Sequence, residues 1–243
     1  MENLHISTIT GIGAFSCLFD LNELYNDLIL DDNVKLIKYK DLKPRGESNL
    51  LKKKSKISFY NQLTLLLNYK DKIVNVKIFN NGKIQMTGLK STNSCLEILE
   101  ILREKVIKSN IVKTFEDILI ISSEIVLINS DCKMGYKINP DILYRLILNK
   151  GIFVTYEPCI YPGVNIKYYI KEDEKLCGKC NCMNQCNGKG KNGACKRVTI
   201  AVFNSGNIII TGASKTEQLL ECYHFITNLI NENKSSLEQK EIN

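Results

Sequence analysis

The sequence predicts an α+β fold made of two similar halves, and an internal repeat is the main observation behind this prediction. The segments Val76–Glu97 and Ile200–Glu221 align without a gap, with matching phenylalanine, asparagine, glycine and threonine residues. In each copy two β-rich runs flank a tight-turn signal, Asn80-Asn81-Gly82 or Asn204-Ser205-Gly206, whose residues tolerate positive φ. An amphipathic helix pattern follows each hairpin. Helices that follow antiparallel strands indicate an α+β fold rather than a parallel doubly wound sheet.

Each half also begins with a strand that leads into a helix. In the first half we expect a strand over Leu4–Cys17 and a helix over Leu21–Leu30. In the second half we expect a strand over Ile125–Ile138 and a helix over Pro140–Asn149, since proline is tolerated in the first turn of a helix. Each half is therefore predicted to contain a strand, a helix, several antiparallel strands and a final helix.

The two final helices have start signals and apolar stripes. Ser214, with Glu217 three residues later, forms a capping-box pattern, and Ser91 or Thr92 can cap the first copy. The stripes consist of Cys95, Leu96, Leu99, Leu102 and Val106 in the first copy and of Leu219, Leu220, Tyr223, Ile226 and Ile230 in the second. We therefore predict one repeat over residues 1–110 and a second over residues 111–243.

The composition permits a nucleic-acid ligand but does not require one. The 243 residues carry a formal net charge of +7, and a basic balance suits binding to phosphates. Nearly all the basic residues are lysines, and the abundant Asn and Ile indicate the coding bias of an A·T-rich genome as a second explanation of this charge. The sequence has no uninterrupted apolar run of about 18 residues, so we expect no membrane span.

Four segments resemble the TATA-box-binding protein family. The repeat segments Ile78–Ser91 and Val202–Lys215 are similar to the family's paired Phe-x-Ser-Gly-Lys…Thr-Gly-Ala-Lys segments. Tyr156–Gly163 resembles its Tyr-Glu-Pro-Glu-Leu-Phe-Pro-Gly motif, and Cys17–Leu21 resembles its Cys-Lys-Leu-Asp-Leu motif. The resemblance spans almost the whole chain, in the family's order and in both repeats. It is greatest to the divergent TATA-binding-like proteins of large DNA viruses.

The resemblance implies a saddle, in which two pseudo-symmetric repeats form one curved antiparallel sheet with the helices on its convex face. The concave face would bind A·T-rich double-stranded DNA in the minor groove and bend it, since TATA-binding proteins kink DNA by wedging apolar side chains between base steps. Such a protein is a general transcription initiation factor and not an enzyme. It recruits a B-type initiation factor and RNA polymerase, and it takes no small-molecule substrate. We expect it in the nucleus, or in the virus factory or virion in the host cytoplasm if it is viral.

The resemblance also assigns the aromatic wedges. Phe79 and Phe203 match the wedge phenylalanine on the third strand of each repeat. Tyr161 stands where the second repeat carries its other wedge. The corresponding residue of the first repeat is predicted to be Phe59, with Tyr60 as the alternative, because the hairpin that follows is longer and the alignment slips there.

Further residues are implied to face the groove between the wedges. They are Thr8, Asn129, Thr87, Thr211, Lys77, Lys83, Gln85 and Ile209. Asn129 matches a central asparagine that can donate to adenine N3 and thymine O2, and Thr8 is taken as its first-repeat equivalent. Lys83 matches a lysine that contacts phosphate. Because side chains alternate along a strand, Lys77 and Gln85 are predicted to share the concave side with Phe79 and Thr87.

Several residues depart from the family's pattern. Lys77 and Gln85 stand where the family has apolar residues, and Asp131 brings negative charge near the groove. We therefore expect a looser preference than a strict TATA element. Glu157 matches a glutamate that contacts the B-type initiation factor, whereas Cys159 replaces the second glutamate of that motif.

A cysteine-rich insertion over Lys171–Arg197 expands a hairpin that is short in the family. Its cysteines are Cys177, Cys180, Cys182, Cys186 and Cys195. Four of these five thiolates can complete a tetrahedral site, and a polar, glycine-rich segment has no core of its own to order it. We therefore predict a structural Zn²⁺. A loop with reduced thiols, or disulfides in an oxidising particle, remain alternatives.

A second insertion over Lys35–Lys56 is rich in lysine. It precedes the predicted wedge Phe59, so it can lie against phosphates that flank a kink. A solvated lysine-rich loop explains the same composition equally well.

Two other functions remain open at this level. One is an enzyme or repair component that uses the same fold, but His5 and His224 are the only histidines and no nucleophile–base arrangement is visible. The other is a zinc-dependent protein-docking module that does not bind DNA.

Overall fold

The computed structural model describes residues 4–50, 60–111, 117–171, 174–183, 186–191 and 193–239. The chain forms two compact units, one over Thr8–Val126 and the other from Leu127 onward together with the residues up to Ser7. The predicted repeat boundary near residue 110 stays a prediction. Within the described ranges, every helix is too short or too polar to cross a membrane.

The first unit is an antiparallel sheet with two helices. Its elements are β1 (His5–Phe15), α1 (Leu21–Asp27), β2 (Val34–Tyr39), β3 (Arg45–Gly46), a 3₁₀ turn (Ser48–Leu50), β4 (Gln62–Tyr69), β5 (Lys72–Phe79), β6 (Lys83–Leu89) and α2 (Ser94–Lys108). The strand order is β1-β6-β5-β4-β2-β3, and each neighbouring pair is antiparallel. The predicted basic insertion therefore begins later than Lys35, because Lys35–Tyr39 belongs to β2 and pairs with β4.

The second unit repeats this plan. Its elements are β7 (Ile120–Lys133), α3 (Pro140–Asn149), β8 (Phe153–Glu157), β9 (Tyr161–Lys171), β10 (Glu174–Gly178), β11 (Lys196–Phe203), β12 (Asn207–Ala213), α4 (Thr216–Glu232) and α5 (Lys234–Leu237). The strand order is β10-β9-β11-β12-β7, and β8 pairs with β9. Both units thus combine an antiparallel sheet with helices, and the α+β prediction is confirmed.

Each sheet buries one face against its helices. Alternate residues of each central strand are buried: Val74, Val76 and Ile78 on β5, and Val198, Ile200 and Val202 on β11. Each such aliphatic side chain contributes about 1.5–3 kcal/mol of burial free energy. The helix stripes are buried as predicted at most positions, but Leu96 is 50% exposed. The opposite face of each sheet carries residues that are mostly half-buried or exposed.

The helix starts follow local hydrogen bonds. Asp20 accepts from the backbone N–H of Asn22 at 2.7 Å and so caps α1. Asn139 caps α3 in the same way, with Pro140 as the first helical residue, as predicted. The box predicted at the start of α4 is wrong in its partner: the Gln218 side chain, not that of Glu217, accepts from the backbone N–H groups that precede the helix. In the first copy α2 begins after Asn93.

The two hairpin turns have the same backbone conformation. Gly82 and Gly206 both have φ of +79°, a left-handed conformation that favours glycine. A Cβ on Gly82 would lie 2.5 Å from the carbonyl oxygen of Cys17, and one on Gly206 would meet the carbonyl oxygen of Tyr136. The turn glycines of the sequence repeat are therefore required by geometry in both units.

Candidate nucleic-acid interface and cysteine cluster

The open face of the first sheet carries the residues predicted from strand alternation. Lys77 on β5 lies opposite Gln85 on β6, and Asn75 lies opposite Thr87. Thr87 is exposed, and Phe79, Lys77 and Gln85 are half-buried. The residues that lie between these along β5 and β6 are buried. The predicted group of groove-facing residues in this unit therefore shares one side of the sheet.

A concavity of about 650 Å³ lies on the same face of the first sheet. It is lined by Leu36, Lys38, Leu50, Thr64, Leu66, Ile73, Asn75, Lys77, Thr87 and Gly88. Leu50 belongs to the 3₁₀ turn, so the described part of the basic insertion reaches this face.

The open face of the second sheet has a matching layout. Thr211 on β12 lies opposite Asn129 on β7, and Ile209 lies opposite Asp131. The Thr211 hydroxyl donates a hydrogen bond to the Asn129 side-chain oxygen. This bond fixes the orientation of the amide, so the nitrogen of Asn129 is the group that can donate to a ligand.

The strand register corrects one predicted equivalence. Thr87 lies opposite Thr10 in the first unit, just as Thr211 lies opposite Asn129 in the second. The counterpart of Asn129 is therefore Thr10 and not Thr8. The same pairing irregularity adjoins this pair in both units, beside Thr10 in the first and beside Thr211 in the second, which supports the equivalence.

Two aromatic rings meet at the end of the second sheet. The Tyr161 and Phe203 ring centroids lie 5.6 Å apart in an edge-to-face arrangement. Gly163 lies directly opposite Phe203, and a Cβ there would lie 2.9 Å from the Tyr161 ring and 3.1 Å from the Phe203 ring. Glycine at this position therefore makes room for the aromatic pair.

The same register identifies the counterpart of Tyr161 in the first unit. Phe79 lies opposite Gln62 as Phe203 lies opposite Gly163, and Tyr60 precedes Gln62 by two residues as Tyr161 precedes Gly163. Tyr60, the alternative left open by the sequence, is thus the equivalent residue. Its side chain is 64% exposed. Phe59, the residue named first, lies outside the described residues.

Lys167 is a charged residue on the open face of the second sheet that the sequence did not predict for the site. The Lys167 ammonium donates to the Thr199 hydroxyl at 3.1 Å, and burial together with the nearby Arg197 charge lowers the pKa of Lys167. Strand alternation counted from Phe203 would have placed Thr199 on this face. The position of Lys167 requires the register of β9 against β11, which the sequence does not give.

Asp131 has partners that reasoning from sequence alone did not supply. The Ser7 hydroxyl donates to Asp131 Oδ1 at 2.7 Å, and His5 Nδ1 lies 3.3 Å from the same oxygen. The hydrogen bond from Ser7, aided by that from His5, holds the pKa of Asp131 below its usual range. The predicted negative charge on this face is therefore retained at neutral pH.

The turn between β8 and β9 is exposed. Glu157, the last residue of β8, lies opposite Tyr161, and Cys159 and Ile160 stand between them. Ile160 is 86% exposed, an unusual position for a large apolar side chain. This turn therefore offers a surface on which Glu157 and Ile160 lie close together.

Four cysteines of the insertion form a compact cluster. The Sγ atoms of Cys180, Cys182, Cys186 and Cys195 all lie within 4.8 Å of one another. Cys195 Sγ is 3.4 Å from Cys182 Sγ and 3.9 Å from Cys180 Sγ. These separations are well above the S–S bond length of about 2.05 Å, and the thiols are free. Cys177, the fifth candidate, is exposed and lies outside this group.

Backbone groups organise the cysteine cluster. The backbone N–H of Cys195 points at Cys182 Sγ at 3.5 Å, and this contact is the largest cause that lowers the pKa of Cys182 to about 7. Burial raises the pKa of Cys180, Cys186 and Cys195. The Gly188 carbonyl accepts from the backbone N–H of Arg197 at 2.9 Å, which ties the cluster to β11. The donor set is four sulfurs, the chemistry of a structural zinc or iron–sulfur site.

Comparison with known proteins agrees with this geometry. Residues 122–233 match the family model described as transcription factor TFIID, or TATA-binding protein. A TATA-box-binding protein-like protein of Acanthamoeba polyphaga mimivirus is 30% identical over 255 residues, which cover 94% of this chain and 65% of that protein. The chain is thus similar to the TATA-binding protein family, through the family model over residues 122–233 and through the mimivirus protein over most of its length.

A solved structure extends the comparison to the fold. The TATA-binding protein of Methanococcus jannaschii superposes with a TM-score of 0.57 and 18% identity, covering 95% of this chain and 99% of that chain. The likeness confirms that the fold is that of TATA-binding proteins. The region matched by the family model contains Asn129, Tyr161, Phe203 and all four clustered cysteines, whereas the residues of the first unit that are predicted to face a groove lie outside it.

Proposed function

We propose that this protein is a transcription initiation factor that binds A·T-rich double-stranded DNA in the minor groove and bends it. The observation that carries the proposal is the aromatic pair of Tyr161 and Phe203 at the end of an open sheet face, with Phe79 at the corresponding position of the first unit. Such a protein acts where promoters are read, which is the nucleus or, for a virus, its factory or virion.

The aromatic pair suits a wedge between base steps. Unstacking a step costs a few kcal/mol, and a large apolar side chain that becomes fully buried offsets part of that cost. Phe203 is half-buried and Tyr161 is 39% exposed in the protein alone, so both retain apolar surface to bury against bases. The edge-to-face contact holds the rings before DNA arrives, which lowers the entropy lost on binding.

The hydrogen-bonding groups between the wedges suit the minor groove. Adenine N3 and thymine O2 are acceptors, so a protein that reads them must donate. Asn129, oriented by Thr211, offers an amide nitrogen, and Thr87 offers a hydroxyl in the first unit. These groups favour A·T pairs without defining an exact word.

Basic residues at the open faces suit the phosphates. Lys83 is exposed at the start of β6, and Arg197 is exposed at the start of β11. Each phosphate contact releases counterions, so affinity should fall steeply with salt.

We also infer a recruiting surface at the turn between β8 and β9. Glu157 supplies a charge and Ile160 an exposed apolar side chain, a combination typical of protein docking sites. The proposed partners are a B-type initiation factor and, through it, RNA polymerase. Replacing Glu157 by arginine should abolish binding of that factor to the protein–DNA complex while leaving DNA binding intact. If the variant still recruits the factor in a gel-shift assay, this turn is not the docking surface.

For the cysteine cluster we propose a structural Zn²⁺. A tetrahedral site with Zn–S bonds of about 2.3 Å places the sulfurs about 3.8 Å apart. The Cys195 separations of 3.4 Å and 3.9 Å are close to that value. The ion would be held by Cys180, Cys182, Cys186 and Cys195, and it would order a polar loop that has little apolar core.

DNA binding is tested by selection from random duplexes, with bending followed by energy transfer between end labels. We expect A·T-rich sites that contain flexible TA steps and a clear bend. Selection of G·C-rich sites, or binding without bending, would contradict the proposal. An enzyme or docking module on the same fold would give no selected sequence.

Metal is tested by elemental analysis of purified protein. We expect about one zinc per chain, lost in Cys195→Ser and kept in the matched control Cys177→Ser. Iron in place of zinc, or equal zinc in both variants, would contradict a zinc site at these four cysteines.

A further inference from the structure

One acidic side chain lies among the groups proposed to touch the floor of the minor groove. Asp131 is two residues from Asn129 on β7, about 7 Å along the strand, and its cross-strand neighbour is Ile209. Its side chain is 49% exposed. The counterpart in the first unit is Ile12, which lies opposite Gln85 as Asp131 lies opposite Ile209. The carboxylate is therefore a feature of the second unit alone.

A carboxylate at this position does not fit an A·T pair. An ionised carboxylate only accepts hydrogen bonds, and A·T and T·A pairs present only acceptors in the minor groove. The carboxylate oxygens would face adenine N3 or thymine O2 with no hydrogen atom to share between them. A G·C pair differs at one point, because the exocyclic amino group of guanine is a donor in the minor groove.

The carboxylate of Asp131 is held in place for such a contact. Ser7 and His5 both approach Oδ1, at 2.7 Å and 3.3 Å, and they anchor one side of the group. A carboxylate has capacity for about four hydrogen bonds, so Oδ2 keeps acceptor capacity for a ligand. Hydrogen bonds from Ser7 and then His5, and the nearby charge of Lys133, keep its pKa low, so the group is ionised at neutral pH.

We infer that Asp131 determines specificity by accepting a hydrogen bond from the exocyclic amino group of guanine. The favoured duplex is then A·T-rich but contains a G·C pair at one fixed position. This inference rests on the proposed minor-groove binding, because Asp131 faces bases only if the open sheet face does.

The test uses the full-length protein and one A·T-rich duplex in which a single G·C pair is moved through the site. At the favoured position the G·C pair is replaced by inosine·C, which lacks only the exocyclic amino group, or by A·T. Wild-type protein should bind the G·C duplex about tenfold or more tightly than either replacement, the size of one good base contact. At all other positions inosine should bind as well as or better than guanine.

Two variants connect the effect to this side chain. Asp131→Asn supplies a donor and should reverse the preference toward A·T, and Asp131→Ile, which copies the first unit, should make inosine and guanine equivalent. Asp141→Asn, at an exposed position in the first turn of α3, is the matched control and should keep the wild-type pattern.

The outcomes separate this inference from the proposed function. If wild-type protein binds A·T-rich duplexes but the inosine replacement changes nothing at any position, the inference about Asp131 is wrong and minor-groove binding stands. An inosine effect that persists in both Asp131 variants also refutes it. If no duplex is preferred over G·C-rich DNA, the proposed function itself fails.

Discussion

Replacing Phe203 by alanine should weaken DNA binding while the protein stays folded. It is the last residue of β11, it is half-buried, and its ring pairs edge-to-face with that of Tyr161 at 5.6 Å. Phe203→Ala removes that pairing, which is worth about 0.5–1.5 kcal/mol, so the free energy of unfolding should fall by about 1 kcal/mol. In the DNA complex a wedge is fully buried, and full burial of a phenylalanine is worth about 1.5–3 kcal/mol. Because the ring is already half-buried in the free protein, roughly 1 kcal/mol of this is gained on binding, and its loss lowers affinity about fivefold.

The assay is a titration of a labelled A·T-rich duplex at one fixed salt concentration, with the bend angle read by energy transfer and stability read by thermal unfolding. Phe225→Ala is the control, because Phe225 is a half-buried phenylalanine of α4 in the same unit whose ring pairs with that of Tyr168 at 4.7 Å, on the helix-covered side of the sheet. It should keep the bend and keep the affinity within about twofold of wild type. If Phe203→Ala bends DNA as wild type does, or if both variants lose affinity equally, Phe203 is not a wedge.

Three other perturbations probe the fold, its pH dependence and its phosphate contacts. Gly206→Ala should lower the free energy of unfolding by about 1–3 kcal/mol, because φ is +79° and a Cβ would meet a backbone carbonyl; unchanged denaturant unfolding would contradict the turn geometry. Burial acts to raise the pKa of Asp31, but hydrogen bonds, chiefly from Lys105, outweigh it and leave that pKa lowered. This contribution to stability is present above the unfolded-state pKa and is lost as pH falls through the folded-state pKa. Lys105→Met should therefore reduce the part of the free energy of unfolding that is lost at acid pH. An unchanged pH dependence of that free energy would contradict this reasoning. Lys83→Ala should weaken binding to all duplexes alike and reduce the slope of log affinity against log salt by about one; an unchanged slope would remove it from the phosphate contacts.

The repeat architecture could be predicted from sequence because its signals are local. The turns at Gly82 and Gly206, with identical φ of +79°, follow from Asn-x-Gly between two β-rich runs. Strand alternation placed Lys77, Gln85 and Thr87 on one face, and the register agrees. The start of α3 also follows from local chemistry, since Pro140 suits the first helical turn.

Positions that depend on register could not be predicted in the same way. An insertion before β4 removes the fixed offset between the repeats, so the alignment named Phe59 where the pairing of Gln62 with Phe79 indicates Tyr60. The equivalence of Thr10 with Asn129 likewise follows only from their pairing with Thr87 and Thr211, because the first strand of each half lies outside the gap-free part of the repeat. A strand's hydrophobic pattern repeats every second residue, so a strand moved by two residues gives the same pattern and the sequence does not distinguish Thr8 from Thr10.

The cysteine ligands were also beyond sequence reasoning. Cys177 and Cys180 have the spacing of a familiar metal-binding turn, yet the cluster takes Cys180 and omits Cys177. Which cysteines cluster depends on the position of β11, because Cys195 lies immediately before this strand and its backbone N–H points at Cys182 Sγ. Such long-range placement depends on tertiary structure and not on spacing.

Competition on a single A·T-rich duplex tests most directly whether this protein binds DNA through the minor groove. One set of titrations adds a drug that occupies the minor groove, and a second uses the same sequence with bulky groups on the thymine C5 atoms, which project into the major groove. The drug should displace the protein in proportion to its occupancy, whereas the C5 groups should leave the affinity within about twofold. Binding that survives a filled minor groove, or that is abolished by the C5 groups, would contradict the claim.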